Sequence, residues 1–165
     1  MRIPRAAARV AVLDPAGSVF MFRYDNEEVG VHWALPGGGL NRYETPRRGA
    51  ERELCEETGW KDVEAGPTLC LWVHDFTRAG VRVRQREHVF LASGPRRDPF
   101  GDLADAHARD GIQRGRWWSP GELSGATEPL WPPQLPELLA DVRRSGPPAE
   151  PVDLGFVPNT TVRRR

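Results

Sequence analysis

Glu44, Glu53, Glu56 and Glu57 crowd into residues 38–60, GGLNRYETPRRGAERELCEETGW, between Gly38 and Gly59. Like charges three and four positions apart on a helix repel one another. So many on one short segment call for an offsetting cation. Carboxylate oxygens at this density suit a hard divalent metal. Arg52, four residues before Glu56, can reach its carboxylate and hold it in orientation.

The spacing works only if this segment is a helix, and its ends predict one. Thr45 is a good N-cap, with a hydroxyl able to accept a free N–H of the first turn. Pro46 follows at the first helical position, where its missing N–H does no harm. Gly59 suits the left-handed residue past the C-terminus. Between them RRGAERELCEET holds mostly good helix formers, with Gly49 the weak point. Glu53, Glu56 and Glu57 then stand at i, i+3 and i+4 and project from one face. Ala50 and Leu54 lie on another face, set to pack on a sheet. Glu44 precedes the N-cap, close enough to add a fourth carboxylate.

The register of Gly38, Glu44, Arg52-Glu53-Leu54-Cys55-Glu56-Glu57-Thr58-Gly59 and Trp60 resembles the Nudix box, the signature of the Nudix hydrolase superfamily. Trp60 departs mildly, since an aliphatic residue is commoner there. The resemblance implies an α/β fold, a mixed β-sheet sandwiched between α-helices. It implies a loop–helix–loop that binds Mg²⁺ or Mn²⁺ and cuts a nucleoside diphosphate linked to another group. A divalent ion suits that reaction, because it neutralises phosphate charge and lowers the pKa of bound water. By the family pattern Glu53, Glu56 and Glu57 are metal ligands, and the Gly38 carbonyl is a further candidate. Glu53 and Glu57 are the first choices for handling the attacking water, with Arg52 beside them.

Composition bounds the rest. The chain has 165 residues, one domain's worth, with 23 basic and 23 acidic residues and zero formal charge. That balance argues against an extended nucleic-acid surface. Lys61 is the only lysine; the arginine bias reflects genome composition more than phosphate binding. Two cysteines, Cys55 and Cys70, make no disulfide framework, and a reducing cytoplasm is the simplest setting. No apolar run approaches the roughly 20 residues that span a bilayer. Arg9 and Asp14 interrupt the apolar run near the N-terminus, so it reads as a strand and not a signal peptide.

The pattern along the chain is α/β. Arg5 to Leu13 and Val19 to Tyr24 read as a hairpin around Asp14-Pro15-Ala16-Gly17. His32 to Pro36 is a short strand feeding the glycines. Val63 to Arg78 and Val81 to Leu91 read as two strands around Ala79-Gly80. Ser93 to Gly111 reads as a loop, Arg114 to Ser119 as a strand, and Pro120 to Ser124 as one helical turn. Pro133 to Arg144 is a final helix, with Leu135, Leu138, Leu139 and Val142 in one stripe. Residues 1–145 make the catalytic domain; residues 146–165, Pro-rich and ending in Arg163 to Arg165, read as a flexible tail or an arm against a partner, including a second copy in a homodimer.

Several residues outside the box are candidates. Glu87 sits on a strand beside Val89 and Leu91, where a partly buried carboxylate wants a cation. It is either an extra metal ligand or a strand-end glutamate paired with an arginine. His88, on the other face, reads as structural. Glu128, in the loop before the last helix, is a substrate contact or a capping residue. Arg23, Arg84 and Arg86 are candidate phosphate clamps. Trp118, with Trp117 and Trp131, offers an aromatic wall for a nucleobase. His74 and Asp75 alone are too little for a second metal site.

Two function classes follow. One is a metal-dependent pyrophosphohydrolase acting on a small nucleotide-type substrate. The other is a non-catalytic domain that binds a nucleotide or ADP-ribose; the complete set of box glutamates disfavours it. Isoprenoid diphosphate isomerisation on the same fold would need an active-site cysteine outside the box, for which Cys70 is the sole candidate.

Overall fold

A computed structural model describes residues 1–159; Arg163 to Arg165 lie outside the described residues. In chain order the elements are β1 (Ile3–Leu13), β2 (Val19–Asn26), β3 (Gly30–Ala34), β4 (Gly37–Gly39), α1 (Pro46–Thr58), β5 (Thr68–Arg78), β6 (Val81–Ser93), α2 (Ala104–Asp110), β7 (Ile112–Trp118), α3 (Pro120–Ser124), β8 (Leu130–Trp131), α4 (Leu135–Ser145) and β9 (Val152–Phe156). Nine strands of the described residues join in one mixed sheet, ordered β8-β3-β2-β1-β6-β5-β9, with β4 on β1 and β7 on β2.

The β1–β2 hairpin forms as the sequence predicts. Its turn is closed by Asp14, whose side chain accepts from Ala16 N and Ser18 N at 3.0 and 2.8 Å. β5 and β6 pair antiparallel around Ala79-Gly80, both with positive φ, which suits a two-residue hairpin turn. The central β1–β6 pair is parallel and in register from Ile3↔Val83 to Leu13↔Ser93.

Alternation along these strands builds two cores. Ala8, Val10, Phe20, Phe22 and Phe90 pack against Ala50 and Leu54 of α1. On the opposite face Met21, Trp33, Trp72 and Val89 pack against Leu135, Leu138 and Leu139 of α4. The apolar stripe read in the final helix is thus its buried face. No helix among the described residues is long and apolar enough to cross a membrane.

Three segments differ from the sequence reading. Within the stretch read as a loop from Ser93 to Gly111, residues 104–110 form α2. The two-residue β8 pairs parallel with β3 at Trp33↔Leu130. Residues 152–156, read as part of a flexible tail or partner arm, form β9 parallel to β5, with Cys70↔Val152 and Leu71↔Asp153. Val157 N extends this pairing by donating to Val73 O at 2.8 Å. The added strand pairs backbone groups that an edge at β5 would leave open.

α1 carries the acids, and its ends match the expectation. Thr45 Oγ1 accepts from Arg48 N at 3.3 Å, and Gly59 is left-handed at φ 78°. Gly49 has a packing reason: a Cβ there would collide with Leu40 Cδ2 and stand 2.9 Å from Glu44 Oε1.

Candidate metal centre

The α1 acids meet the short strand β4. Glu57 is fully buried, and its Oε2 accepts the Gly37 N–H at 3.2 Å. Glu53, one turn earlier, lies over Gly38 so closely that a Cβ there would stand 2.8 Å from its carboxyl carbon. Glycine at 38 is therefore a requirement of close approach. The third acid is Asp110, from the end of α2. Ligand atoms of Glu53, Glu57 and Asp110 all lie within 4.8 Å of one another. His107 Nε2, donating to Glu57 O at 2.7 Å, ties α2 against α1 and brings Asp110 there.

Electrostatically this triad is incomplete. Glu53 Oε2 and Glu57 Oε1 are buried and accept no hydrogen bond from any described residue. Burial, then the adjacent Glu53 charge, pushes the Glu57 carboxyl well above the usual carboxylate range, against the pull of Arg9. Burial also raises Glu53, opposed by Arg52 and reinforced by Asp110 and Glu56. Clustered carboxylates with bare oxygens fit a divalent cation in both charge and donor type.

Arg52 is the hub of the flanking charges. Its guanidinium grips Glu44 at 2.7 and 2.9 Å, reaches Glu53 at 3.1 Å and Glu56 at 3.3 Å, and donates to Gly39 O at 3.0 Å. The Arg52 hydrogen bonds hold Glu44 down at about 2. Glu44 thus orients Arg52 and adds no fourth carboxylate to the triad. Glu56 lies on the exposed rim, shared between Arg52 and Arg109.

Glu87 is not brought to the triad. It is fully buried and forms an ion pair with Arg9, accepts from Gln85 Nε2 at 2.9 Å, and faces His74 Nε2 at 3.5 Å. Burial alone would raise its carboxyl, but Arg9 and His74 hold it well below the usual range. The expectation of an extra metal ligand is corrected to that of a buried counterion. Arg9 also donates to Leu35 O at 2.8 Å, which fixes the chain entering β4.

Most of the candidate substrate contacts are engaged with other partners in the structure. Arg23 and Glu128 face each other, at 3.0 and 2.8 Å, and Trp33 Nε1 donates to Glu128 at 3.0 Å. They pin the β8 loop to β2. Trp118 is buried, edge-on to Trp33 at 4.9 Å, and unavailable to a nucleobase. Arg84 pairs with Asp75 at 2.9 Å and, with Arg86, lines a cavity beside Pro4, Arg5, Ala6 and Val73 that none of the triad acids lines. Cys70 is buried in the core, does not line the cavity beside the acids, and its thiol is pushed up to about 12 by burial and then by Glu87.

A cavity of about 500 Å³ opens beside the triad, lined by Gly37, Gly38, Arg5, Arg9, Tyr24, His32, Arg78, Arg109, Asp110 and Trp131, among others. Its aromatic side is a stack, with His32 3.4 Å from Trp131 and 5.4 Å from Tyr24 between ring centroids. Burial lowers His32 to about 3, so the ring is neutral and Nδ1 donates to Gly30 O at 3.0 Å. Asp110, Arg5 and Arg9 are the site residues that the sequence reading missed. Arg9 had a signal, a charge set between Ala8 and Val10 in the apolar run of β1. So had Asp110, at the end of an alanine-rich run before Gly111.

Against known proteins, the model of the NUDIX domain matches residues 3–142. An RNA pyrophosphohydrolase of Acidiphilium cryptum is 28% identical over 149 residues, 85% of this chain and 90% of that protein. Among solved structures, a MutT protein from Methanosarcina mazei superimposes with a TM-score of 0.64 at 19% identity, over 87% of this chain and 95% of its own. A NUDIX hydrolase from Nitrosomonas europaea gives 0.64 at 18% identity, over 96% and 81%. The architecture is the Nudix fold, with the acidic helix in the register the sequence displays, and the chain belongs to the NUDIX domain family.

Proposed function

We propose that this chain hydrolyses the pyrophosphate bond of a nucleotide-type substrate, a nucleoside diphosphate linked to a further group, with Mg²⁺ or Mn²⁺ held by Glu53, Glu57 and Asp110. The observation that carries this reading is the pair of bare, buried oxygens, Glu53 Oε2 and Glu57 Oε1, in an acidic triad beside an arginine-lined cavity. Glu56 and the Gly38 carbonyl are proposed as further ligands on the rim. A bound divalent ion would neutralise phosphate charge and make water a stronger nucleophile.

The protein's own groups do the rest. Gly37 N–H and Arg9 hold Glu57 and β4 in place, and Arg52 fixes Glu53. The water oxygen forms a bond to phosphorus while the bridging P–O bond breaks. The bridging oxygen leaves on the other phosphoryl group, and one proton of the water passes to Glu53 or Glu57. The relative of Acidiphilium cryptum, named an RNA pyrophosphohydrolase, supports pyrophosphate-bond cleavage as the reaction class.

A screen that detects the cleavage products by chromatography tests the reading. Nucleoside triphosphates, ADP-ribose, dinucleoside polyphosphates, nucleotide sugars and 5′-triphosphorylated RNA are each incubated with Mg²⁺, Mn²⁺ or EDTA. Turnover of at least one, abolished by EDTA, is expected. Absence of turnover across the panel would sink the reading.

A further inference from the structure

The site contains a second electrostatic imbalance, of opposite sign to the acidic triad. Arg5 of β1 points into the same cavity. Its guanidinium lies so flat on β4 that a Cβ on Gly39 would stand 2.5 Å from Nη2 and 2.8 Å from Cζ. Gln85, itself held by Glu87, accepts a hydrogen bond from Arg5 Nη1. Arg5 is therefore fixed before any ligand arrives. Among the described residues it has no ion-pair partner, although it is half-buried. Burial, then the charges of Arg78 and Arg9, lowers it to about 10 against the weaker pull of Glu87 and Glu53. A rigid cation with no carboxylate bonded to it, beside other cations, is as incomplete as bare carboxylates without a cation.

Arg78 stands across from it at the β5–β6 turn. It touches Asp110 only at 4.0 Å, and 46% of its side chain is exposed. Arg5, Arg78 and Asp110 all line both the 500 Å³ cavity and an adjoining one of about 380 Å³ that holds Arg52, Glu53 and Glu56. The cations thus border the place where the triad would grip an anhydride. A ligand that completes both halves carries a metal-binding pyrophosphate and additional phosphate charge next to it. Arginine forks match phosphate oxygens bidentately. The sugar end of a diphosphate-linked sugar offers hydroxyls there, and would leave Arg5 without an anionic partner and Arg78 with only its long contact to Asp110.

We propose that Arg5 and Arg78 clamp an additional phosphate beside the bond that is cut, and that the substrate carries a 5′-triphosphate and not a diphosphate-linked sugar. This rests on the pyrophosphohydrolase reading and narrows it. The 5′-triphosphate can belong to a free nucleotide or to the end of an RNA chain, which share the same recognised group.

The test compares kcat/KM for ATP, a 5′-triphosphorylated oligoribonucleotide and ADP-ribose, in the wild type and in Arg5→Met, Arg5→Lys and Arg78→Met. Inorganic tripolyphosphate binding by calorimetry without metal is measured beside it. The wild type is expected to prefer one triphosphate over ADP-ribose by about tenfold or more, the scale of one charged hydrogen-bonded contact. Whichever triphosphate leads names the source. Arg5→Met collapses that ratio through KM and weakens tripolyphosphate at least tenfold; Arg5→Lys restores part of both. Equal use of ADP-ribose by the wild type, or unchanged tripolyphosphate binding in Arg5→Met, would overturn the clamp. If no substrate turned over at all, the hydrolase reading would fail, and tripolyphosphate binding alone would decide the clamp.

Discussion

Arg9 of β1 and Glu87 of β6 form an ion pair in the middle of the sheet, with 8% and 0% of their side chains reaching water. Two charges removed from solvent are costly unless each satisfies the other, and truncating one strands its partner. Arg9→Met is therefore expected to lose about 3–5 kcal/mol of unfolding free energy. The Arg9→Met/Glu87→Met double variant loses less than the sum of the two singles. Urea denaturation measures both, and additive losses would contradict the pairing.

The buried triad carboxyls should cost the metal-free protein stability as pH rises. Glu57 and Glu53 are raised in the folded state above the ordinary 4.5. A raised carboxyl binds its proton more tightly folded than unfolded, so its contribution is greatest at low pH. That contribution is lost as pH rises from about 4.5 through the folded pKa. In EDTA, the urea midpoint of the wild type is expected to fall relative to that of Glu57→Gln between pH 5 and pH 8; His32, lowered by burial, acts the other way but equally in both proteins and cancels in the difference. Added Mn²⁺ restores the midpoint at pH 8 by binding only the folded state. A difference from Glu57→Gln that is indifferent to pH, with a midpoint indifferent to Mn²⁺, would contradict the acid-triad description.

Asp110 is expected to hold metal although it lies outside the acidic helix. Asp110→Asn should weaken Mn²⁺ binding by more than about tenfold, at least the loss typical when even an outer partner of a ligand is removed. Glu128→Gln, whose carboxylate serves Arg23 and Trp33, should leave it unchanged. Mn²⁺ titration followed by electron paramagnetic resonance separates the two. Equal effects would remove Asp110 from the site.

Gly49 sets helix propensity against packing. Alanine in a helix interior normally gains about 1 kcal/mol over glycine. Here the added Cβ collides with Leu40 and crowds Glu44. Gly49→Ala is expected to lower the melting temperature and to loosen the Glu44–Arg52 grip. A stabilised Gly49→Ala protein would show that the Leu40 loop yields freely.

The acidic helix was legible because its information is local. Caps, glutamate spacing and terminal glycine all lie within residues 38–60, and the structure keeps each one. The parallel β1–β6 pairing was not, since Arg9 and Glu87 are 78 positions apart. Glu87 was readable as a buried carboxylate needing a cation, and the cation proved to be an arginine. The same holds for Arg23 and Glu128, each read singly as a substrate contact but neutralised by the other across 105 positions. Trp118 was read as a wall because aromatic residues serve cores and ligands alike, and only the sheet's face decides between them. Asp110 was lost with α2, which a Gly/Pro-rich approach hid. β9 was lost because Val152-Asp153-Leu154-Gly155-Phe156, although alternating, is short and flanked by proline.

The most direct test of the account is the turnover rate, at saturating Mg²⁺, of wild type against Glu53→Gln and Glu57→Gln on whichever pyrophosphate substrate the screen identifies. With the fold verified by circular dichroism, each variant is predicted to lose more than about 100-fold, beyond the range of outer-partner changes. A variant retaining rates within about tenfold of wild type would contradict the claim that these buried carboxylates hold the metal and serve the cleavage.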